Sequence, residues 1–156
     1  MSTSDGNITR GGAYRLGRYF PDPIWGYGGS FDNYYKFSFG GIHRVNYVIG
    51  NVEKMLPNAS EESKKNLESI IGEARLLRGM IYFRLICLWG DVPYIDWIVT
   101  DNSEVASIKR TPIAEIKNHI MDDFTYAYNT LPDKSDQIGR SSKPAAQAFR
   151  GKLQFF

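Results

Sequence analysis

The chain has 156 residues, the length of one ordinary domain, and if complete it can bury roughly 70% of its unfolded surface. Its 19 basic and 17 acidic residues leave a net charge of +2 with no basic block, which excludes the electrostatic footprint of a nucleic-acid binder. No window of about 18 apolar residues is present to span a bilayer, and the single cysteine, Cys87, cannot close an internal disulfide.

Residues 1–30 are punctuated by Gly11, Gly12, Gly17, Gly26, Gly28, Gly29, Pro21 and Pro23, a density that predicts an irregular segment. Tyr14, Tyr19, Phe20, Trp25 and Tyr27 are interleaved with these breakers. Such loop aromatics are either pinned onto the domain as a lid or displayed for a ligand. The stretch Met1-Ser2-Thr3-Ser4-Asp5-Gly6 lacks the charged-then-apolar plan of a signal peptide and offers no N-terminal cysteine for lipidation.

From Phe31 the pattern changes. Phe31, Tyr35, Ser38, Ile42, Val45, Ile49, Val52 and Leu56 recur in steps of three and four, one face of a helix that Pro57 ends. Gly40 and Gly41 lie inside it, so either the helix breaks there or a neighbouring backbone comes close. Ser60 then offers an N-cap, followed by Glu61 and Glu62 where the helix dipole favours acids.

This cap opens a long helix, Glu61 to Trp89. Leu67, Ile70, Ala74, Leu77, Ile81, Leu85 and Leu88 form one stripe, and Ile71, Tyr82, Ile86 and Trp89 a second beside it. Leu76, Met80, Phe83 and Cys87 occupy the far side, so the helix is apolar all round and is expected to be enclosed on all flanks, with Cys87 an inert buried thiol. Arg78 falls between the two stripes, where its charge requires a carboxylate or several backbone carbonyls. Gly90 is placed to take the left-handed conformation that closes a helix, and Pro93 prevents its continuation.

Tyr94 to Arg110 reads as an extended connection with no long period. Thr111-Pro112 predicts a new helix start, with threonine as N-cap and proline at the first position. Ile113, Ile116, Ile120, Phe124, Ala127 and Leu131 share one face before Pro132 stops the helix. After a polar turn from Asp133 to Gly139, Gly139-Arg140-Ser141-Ser142-Lys143 leads into a helix built on Ala145-Ala146-Gln147-Ala148-Phe149. Its last residues, Phe155-Phe156, have no polar cap and look like an interrupted element.

Three separated strings carry a family likeness. Glu73-Ala74-Arg75, Leu77-Arg78, Tyr82-Phe83, Leu85 and Trp89-Gly90-Asp91-Val92-Pro93 form the first; Ile120, Asp123, Ala127 and Leu131-Pro132 the second; the hydroxyl-containing basic lead and the alanine-rich helix the third. In this order they resemble the SusD/RagB family of nutrient-binding outer-membrane lipoproteins, with Asn46 where that family has an asparagine and the paired glycines departing from its pattern. The resemblance implies an all-α fold of tetratricopeptide-like helix pairs (an α-α superhelix), the first helix with the second and the third with the fourth. It also implies a helical domain over 31–156, truncated at its C-terminus, preceded by the irregular segment 1–30. A strict period of 34 residues is not evident.

No residue set points to catalysis. His43 and His119 stand on separate helices without metal-ligand spacing, and Gly26-Tyr27-Gly28-Gly29 lacks the lysine and preceding strand of a phosphate loop. Asp122 and Asp123 are about 100° apart on a helix, which suits a solvated face with Asp123 available to a basic neighbour. Neither catalytic residues, metal nor cofactor is therefore expected. What remains is binding, since sugar rings present apolar faces that lie on aromatic side chains. Trp25, Tyr27 and Tyr34, flanked by Asp22, Asp32 and Asn33, are the candidate ligand contacts; Arg78, Trp89, Gly90 and Pro93 are structural. By resemblance the ligand is a nutrient oligomer, a glycan, captured without bond-making at the surface side of the outer membrane and delivered to a TonB-dependent, SusC-like transporter. The alternative is a helical protein–protein interaction module with no glycan affinity of its own.

Overall fold

The computed structural model describes residues 28–135 and 137–156, except for the side chains of residues 28–32 and 102. By Cα proximity the chain divides into two compact units, Met1–Phe39 and Gly40–Phe156. In the first, the Ser38 hydroxyl donates to the Tyr34 carbonyl at 2.7 Å and the Tyr35 and Phe39 rings lie 4.8 Å apart.

Among the described residues five helices follow one another: α1 (Gly28–Met55), α2 (Glu61–Trp89), α3 (Asn102–Ala106), α4 (Ile113–Thr130) and α5 (Lys143–Gln154). The described residues hold no strand, only one antiparallel bridge between Val92 and Thr111. The fold is all-α. A short 3₁₀ turn, Leu56–Asn58, carries Pro57 and ends α1. Ser60 then caps α2 by accepting from the Ser63 N–H at 3.3 Å.

α1 does not break at its glycines. A Cβ on Gly41 would come within 3.1 Å of Ile81 Cδ1, so the close neighbour is a side chain of α2 and not a backbone, while nothing lies within 4 Å of Gly40. Farther along the same pair, Val45 and Ile49 of α1 pack with Ile71 and Ala74 of α2, with Val52, Leu56 and Tyr126 around them. The two helices therefore run antiparallel.

α4 lies against α2 along its length and against α5 on another side. Small residues set the α2–α4 approach: a Cβ on Gly79 would stand 2.6 Å from Phe124 Cε1, and one on Gly72 would overlap the Thr130 hydroxyl. The α4–α5 seam is aromatic and basic, with Phe124 and Phe149 rings 5.6 Å apart and Lys143 and Arg150 both over Tyr128. Ile116, Ile120, Phe124, Ala127 and Leu131 are buried, the face their spacing predicted.

Four expectations are corrected. α2 is not enclosed on all flanks: Leu77 is 47% and Leu88 39% exposed, and Cys87 is exposed rather than buried, because α1, α4 and α5 leave the stripe Leu77–Arg84–Leu88 uncovered. Tyr82 and Leu85, at 0%, and Leu76 and Phe83 are buried, so enclosure holds for the remaining faces. The Tyr94–Arg110 connection contains α3, capped by Asp101, whose carboxylate accepts from the Ser103 N–H at 3.1 Å. Thr111 is not the cap of α4. The N–H of Ile113 instead donates to Asp91 Oδ1 at 2.8 Å, so a carboxylate in the exit loop of α2 caps a helix that starts 22 residues later.

The fourth correction concerns Asp123, which is buried at 2% exposure and not part of a solvated face.

Candidate functional site

α2 stops at Trp89 because Gly90 adopts φ +68°, ψ −123°, open to glycine but not the left-handed helical basin. The chain then crosses back over α2 as residues 91–98. This extended run needs partners for its backbone, and a buried polar cluster supplies them.

Arg78 is at the centre. Its Nε and Nη2 donate to the two carboxylate oxygens of Asp123, each at 2.7 Å, and its Nη1 donates to Asn46 Oδ1 at 3.0 Å and to the Asp96 carbonyl at 3.4 Å. The carboxylate that burial of Arg78 requires is therefore provided by α4. Asn46, itself 2% exposed, turns its amide nitrogen to the carbonyls of Ile95 (2.9 Å) and Trp97 (3.1 Å). Tyr82 completes the clasp: the Ile95 N–H donates to its hydroxyl at 2.7 Å and the hydroxyl donates to the Ile95 carbonyl at 3.2 Å.

Burial works against both charges of the pair. For Arg78 the bonds and charge of Asp123 more than offset it and hold the guanidinium above its ordinary value; for Asp123 burial pushes the carboxyl upward while Arg78 holds it back. With both oxygens accepting short bonds from a guanidinium, the pair is ionised at neutral pH. Burial pushes the Tyr82 and Tyr94 phenols well above their ordinary range, so both are neutral.

A ring column lies beside the clasp, Tyr94 standing 4.8 Å from Tyr82 and stacked on His119 at 4.1 Å with 10° between the planes. Arg75 places its guanidinium 4.3 Å over the Tyr126 ring, 3.8 Å from Glu53 and 4.0 Å from Asp123. Asn46, Arg78 and Tyr82 bond the crossing run directly, and Arg75 ties α2 to α1 and α4 beside them. None is arranged as a nucleophile with a base, and among the described residues no group of three or more His, Cys, Asp or Glu side chains is placed to hold a metal.

Among the candidate ligand contacts, Trp25, Tyr27 and Asp22 lie outside the described residues, as does the side chain of Asp32. Tyr34, 38% exposed, and Asn33, exposed, are on the first turns of α1. Trp89 and Pro93 are half-buried, and Gly90 follows the last residue of α2. Sequence reasoning missed three exposed aromatics, Phe37 at 76%, Tyr47 at 58% and Trp97 at 43%. A signal was available for each: Trp97 stands in a connection with no buried periodic face, and Phe37 and Tyr47 fall off the apolar stripe of α1. Missed too was the clasping role of Asn46, a polar residue four positions from Ile42 and hence on the inner face.

No helix of the described residues is long and apolar enough to cross a membrane. The profile of the SusD-like family described as "Starch-binding associating with outer membrane" matches residues 18–154. The chain is similar to the SusD-like protein P2 of Formosa agariphila, 33% identical over 104 residues, which are 65% of this chain and 21% of that protein. Among solved structures it is similar to a laminarin-binding SusD-like protein (28% identity, TM-score 0.67, 78% of this chain and 26% of that one). It is also similar to a protein crystallised with a xylogluco-oligosaccharide (26% identity, TM-score 0.64, 78% and 23%). The chain thus spans between a fifth and about a quarter of the length of these relatives.

Proposed function

Since the chain belongs to the SusD-like family of starch-binding proteins associated with the outer membrane, we propose that it takes part in capturing a glycan at that membrane without making or breaking bonds. Delivery of the glycan to a TonB-dependent, SusC-like transporter completes this reading. The observation that carries it is the match over residues 18–154 to a carbohydrate-binding family, on a scaffold whose polar groups are spent on structure. Relatives that bind laminarin or were crystallised with a xylogluco-oligosaccharide support a glucan as ligand. Ring faces do this work when they are presented rigidly, with hydroxyls and carboxylates nearby for the sugar rim. We assign that role to Trp25, Tyr27 and Tyr34, with Asp22, Asp32 and Asn33 as polar neighbours.

Retention of the purified chain on immobilised laminarin, xyloglucan and starch tests the reading. Retention on at least one that is competed by its soluble oligosaccharide is expected; passage through all three rejects it. The second reading, an interaction module with no affinity for sugar, is favoured by the uncovered Leu77 and Leu88 of α2 and the exposed Val48 and Met55 of α1. Co-purification with a TonB-dependent transporter in the absence of any glycan retention selects it.

A further inference from the structure

We infer that Arg84, Lys117 and Lys152, gathered around the Phe83 and Phe156 rings where α2, α4 and α5 come together, dock the chain onto the phosphates of an anionic lipid surface. This rests on the reading that the chain works at the outer membrane. Each link of the cluster is a direct contact. The Phe83 and Phe156 rings meet edge to face at 5.5 Å, Lys117 Nζ stands 5.4 Å over the Phe156 ring, and Lys152 Nζ stands 5.9 Å over that of Phe83. Desolvation pushes the Cys87 thiol up, and the charges of Lys152 and Arg84 both draw it down, which brings Arg84 into the same group.

No carboxylate answers these cations. None of the ion pairs among the described residues includes Arg84, Lys117 or Lys152. From Gln137 to Phe156 the sequence holds no acidic residue, so α5 brings only positive charge to its neighbours. At the end of the helix stack where α2 stops and α4 begins, Asp91 is engaged with the Ile113 N–H and Glu115 lies 3.9 Å from His119. Like charges gathered without an acid raise the local potential and draw an anion.

An apolar component accompanies the charge. Leu88, one turn beyond Arg84, is 39% exposed and Phe156 48%, while Arg84, Cys87 and Lys152 are exposed too. Cations beside uncovered apolar side chains fit a lipid interface, where lysine and arginine meet the headgroups and the apolar groups enter the boundary with the acyl chains. Two of the three cations are lysines, compact charges on flexible stems without the fixed fork of a guanidinium, which suits an array of phosphates better than one carboxylate held in register.

Cosedimentation of the intact chain with vesicles of phosphatidylcholine alone, and of phosphatidylcholine and phosphatidylglycerol in equal parts, tests this. Binding to the anionic vesicles only, weakened by added salt, is expected. Arg84→Gln/Lys117→Gln/Lys152→Gln should weaken it about a hundredfold, and each single change about fivefold. Lys54→Gln/Lys65→Gln/Lys134→Gln removes the same charge at the opposite end of the stack, where α1 and α4 finish and α2 begins, and should weaken binding about twofold or less. Helicity and Tm report that the variants remain folded. Equal weakening by the two triple variants, or a chain that binds neither vesicle or both alike, overturns the proposal. Retention on a polyglutamate resin that only the cluster variant loses, without vesicle binding, assigns the cations to an acidic protein segment and overturns it as well. Vesicle binding is read without sugar, so a chain retained on laminarin that ignores vesicles loses this surface and keeps its proposed function. One that binds the anionic vesicles yet passes every glycan keeps the surface and loses the glycan reading.

Discussion

Arg78 and Asp123, 45 positions apart in the chain, meet through two parallel hydrogen bonds of 2.7 Å inside the helix stack. This pair joins α2 to α4, and through Asn46 it also joins α1 and the run 95–97. Removing one charge leaves the other buried and unpaired. Asp123→Asn or Arg78→Met is expected to cost about 3–5 kcal/mol, measured by denaturant unfolding. The double variant Arg78→Met/Asp123→Leu should regain much of that loss, since the desolvated charges are both gone; a double variant no better than the singles would rule this out.

Asn46→Ala removes the donor to the Ile95 and Trp97 carbonyls and the acceptor of Arg78 Nη1. A destabilisation of about 1–3 kcal/mol is expected from the groups left unsatisfied. Amide exchange should quicken at residues 95–98 well beyond its change at Leu85. Uniform acceleration across the helices would show that Asn46 contributes only to global stability.

The trans-acting cap of α4 separates two neighbouring positions. Asp91→Ala deletes the acceptor of the Ile113 N–H and should lower stability by about 1 kcal/mol. Thr111→Ala, whose backbone but not side chain takes part in the bridge to Val92, should stay within about 0.5 kcal/mol. Equal effects, read as Tm shifts, would contradict the assignment.

Glycines of similar sequence context should respond with opposite signs. Gly79→Ala would drive a methyl to 2.6 Å from Phe124 Cε1, a ring held in the core, and is expected to cost about 1–3 kcal/mol. Gly40→Ala meets nothing within 4 Å and should stabilise α1 by up to about 1 kcal/mol through helix propensity. Thermal melts of the two variants check the pair.

Alkaline pH reports the buried phenols. Burial raises Tyr82 and Tyr94 above their ordinary value of 10.0. In the unfolded chain these phenols ionise near that value, whereas in the folded chain they stay neutral, so their contribution is complete below about pH 10 and is lost as pH rises past it. Tm should therefore be flat to about pH 9 and fall beyond about pH 10, and Tyr82→Phe should make the fall shallower. A fall of undiminished slope in that variant would assign it to other groups.

Much of the architecture was legible because its signals are local. The 3.6-residue period of Ile116, Ile120, Phe124, Ala127 and Leu131, the Ser60 cap and the stops at Pro57, Gly90 and Pro132 follow from the geometry of a single helix and need no partner to be read. The need of Arg78 for a carboxylate is equally a property of its own position among apolar stripes. Which carboxylate answers it is not.

Only the tertiary structure decided that Asp123, and not Asp122, turns inward, that Asp91 caps a helix 22 residues away, and that Leu77, Leu88 and Cys87 stay open to water. Each depends on how many neighbours a helix acquires and from which direction they come. A hydrophobic stripe records that a face can be buried; whether it is depends on another segment arriving there. The exposure of Trp97 above a bonded backbone is of the same kind, because it arises where α1, α2 and the crossing run meet.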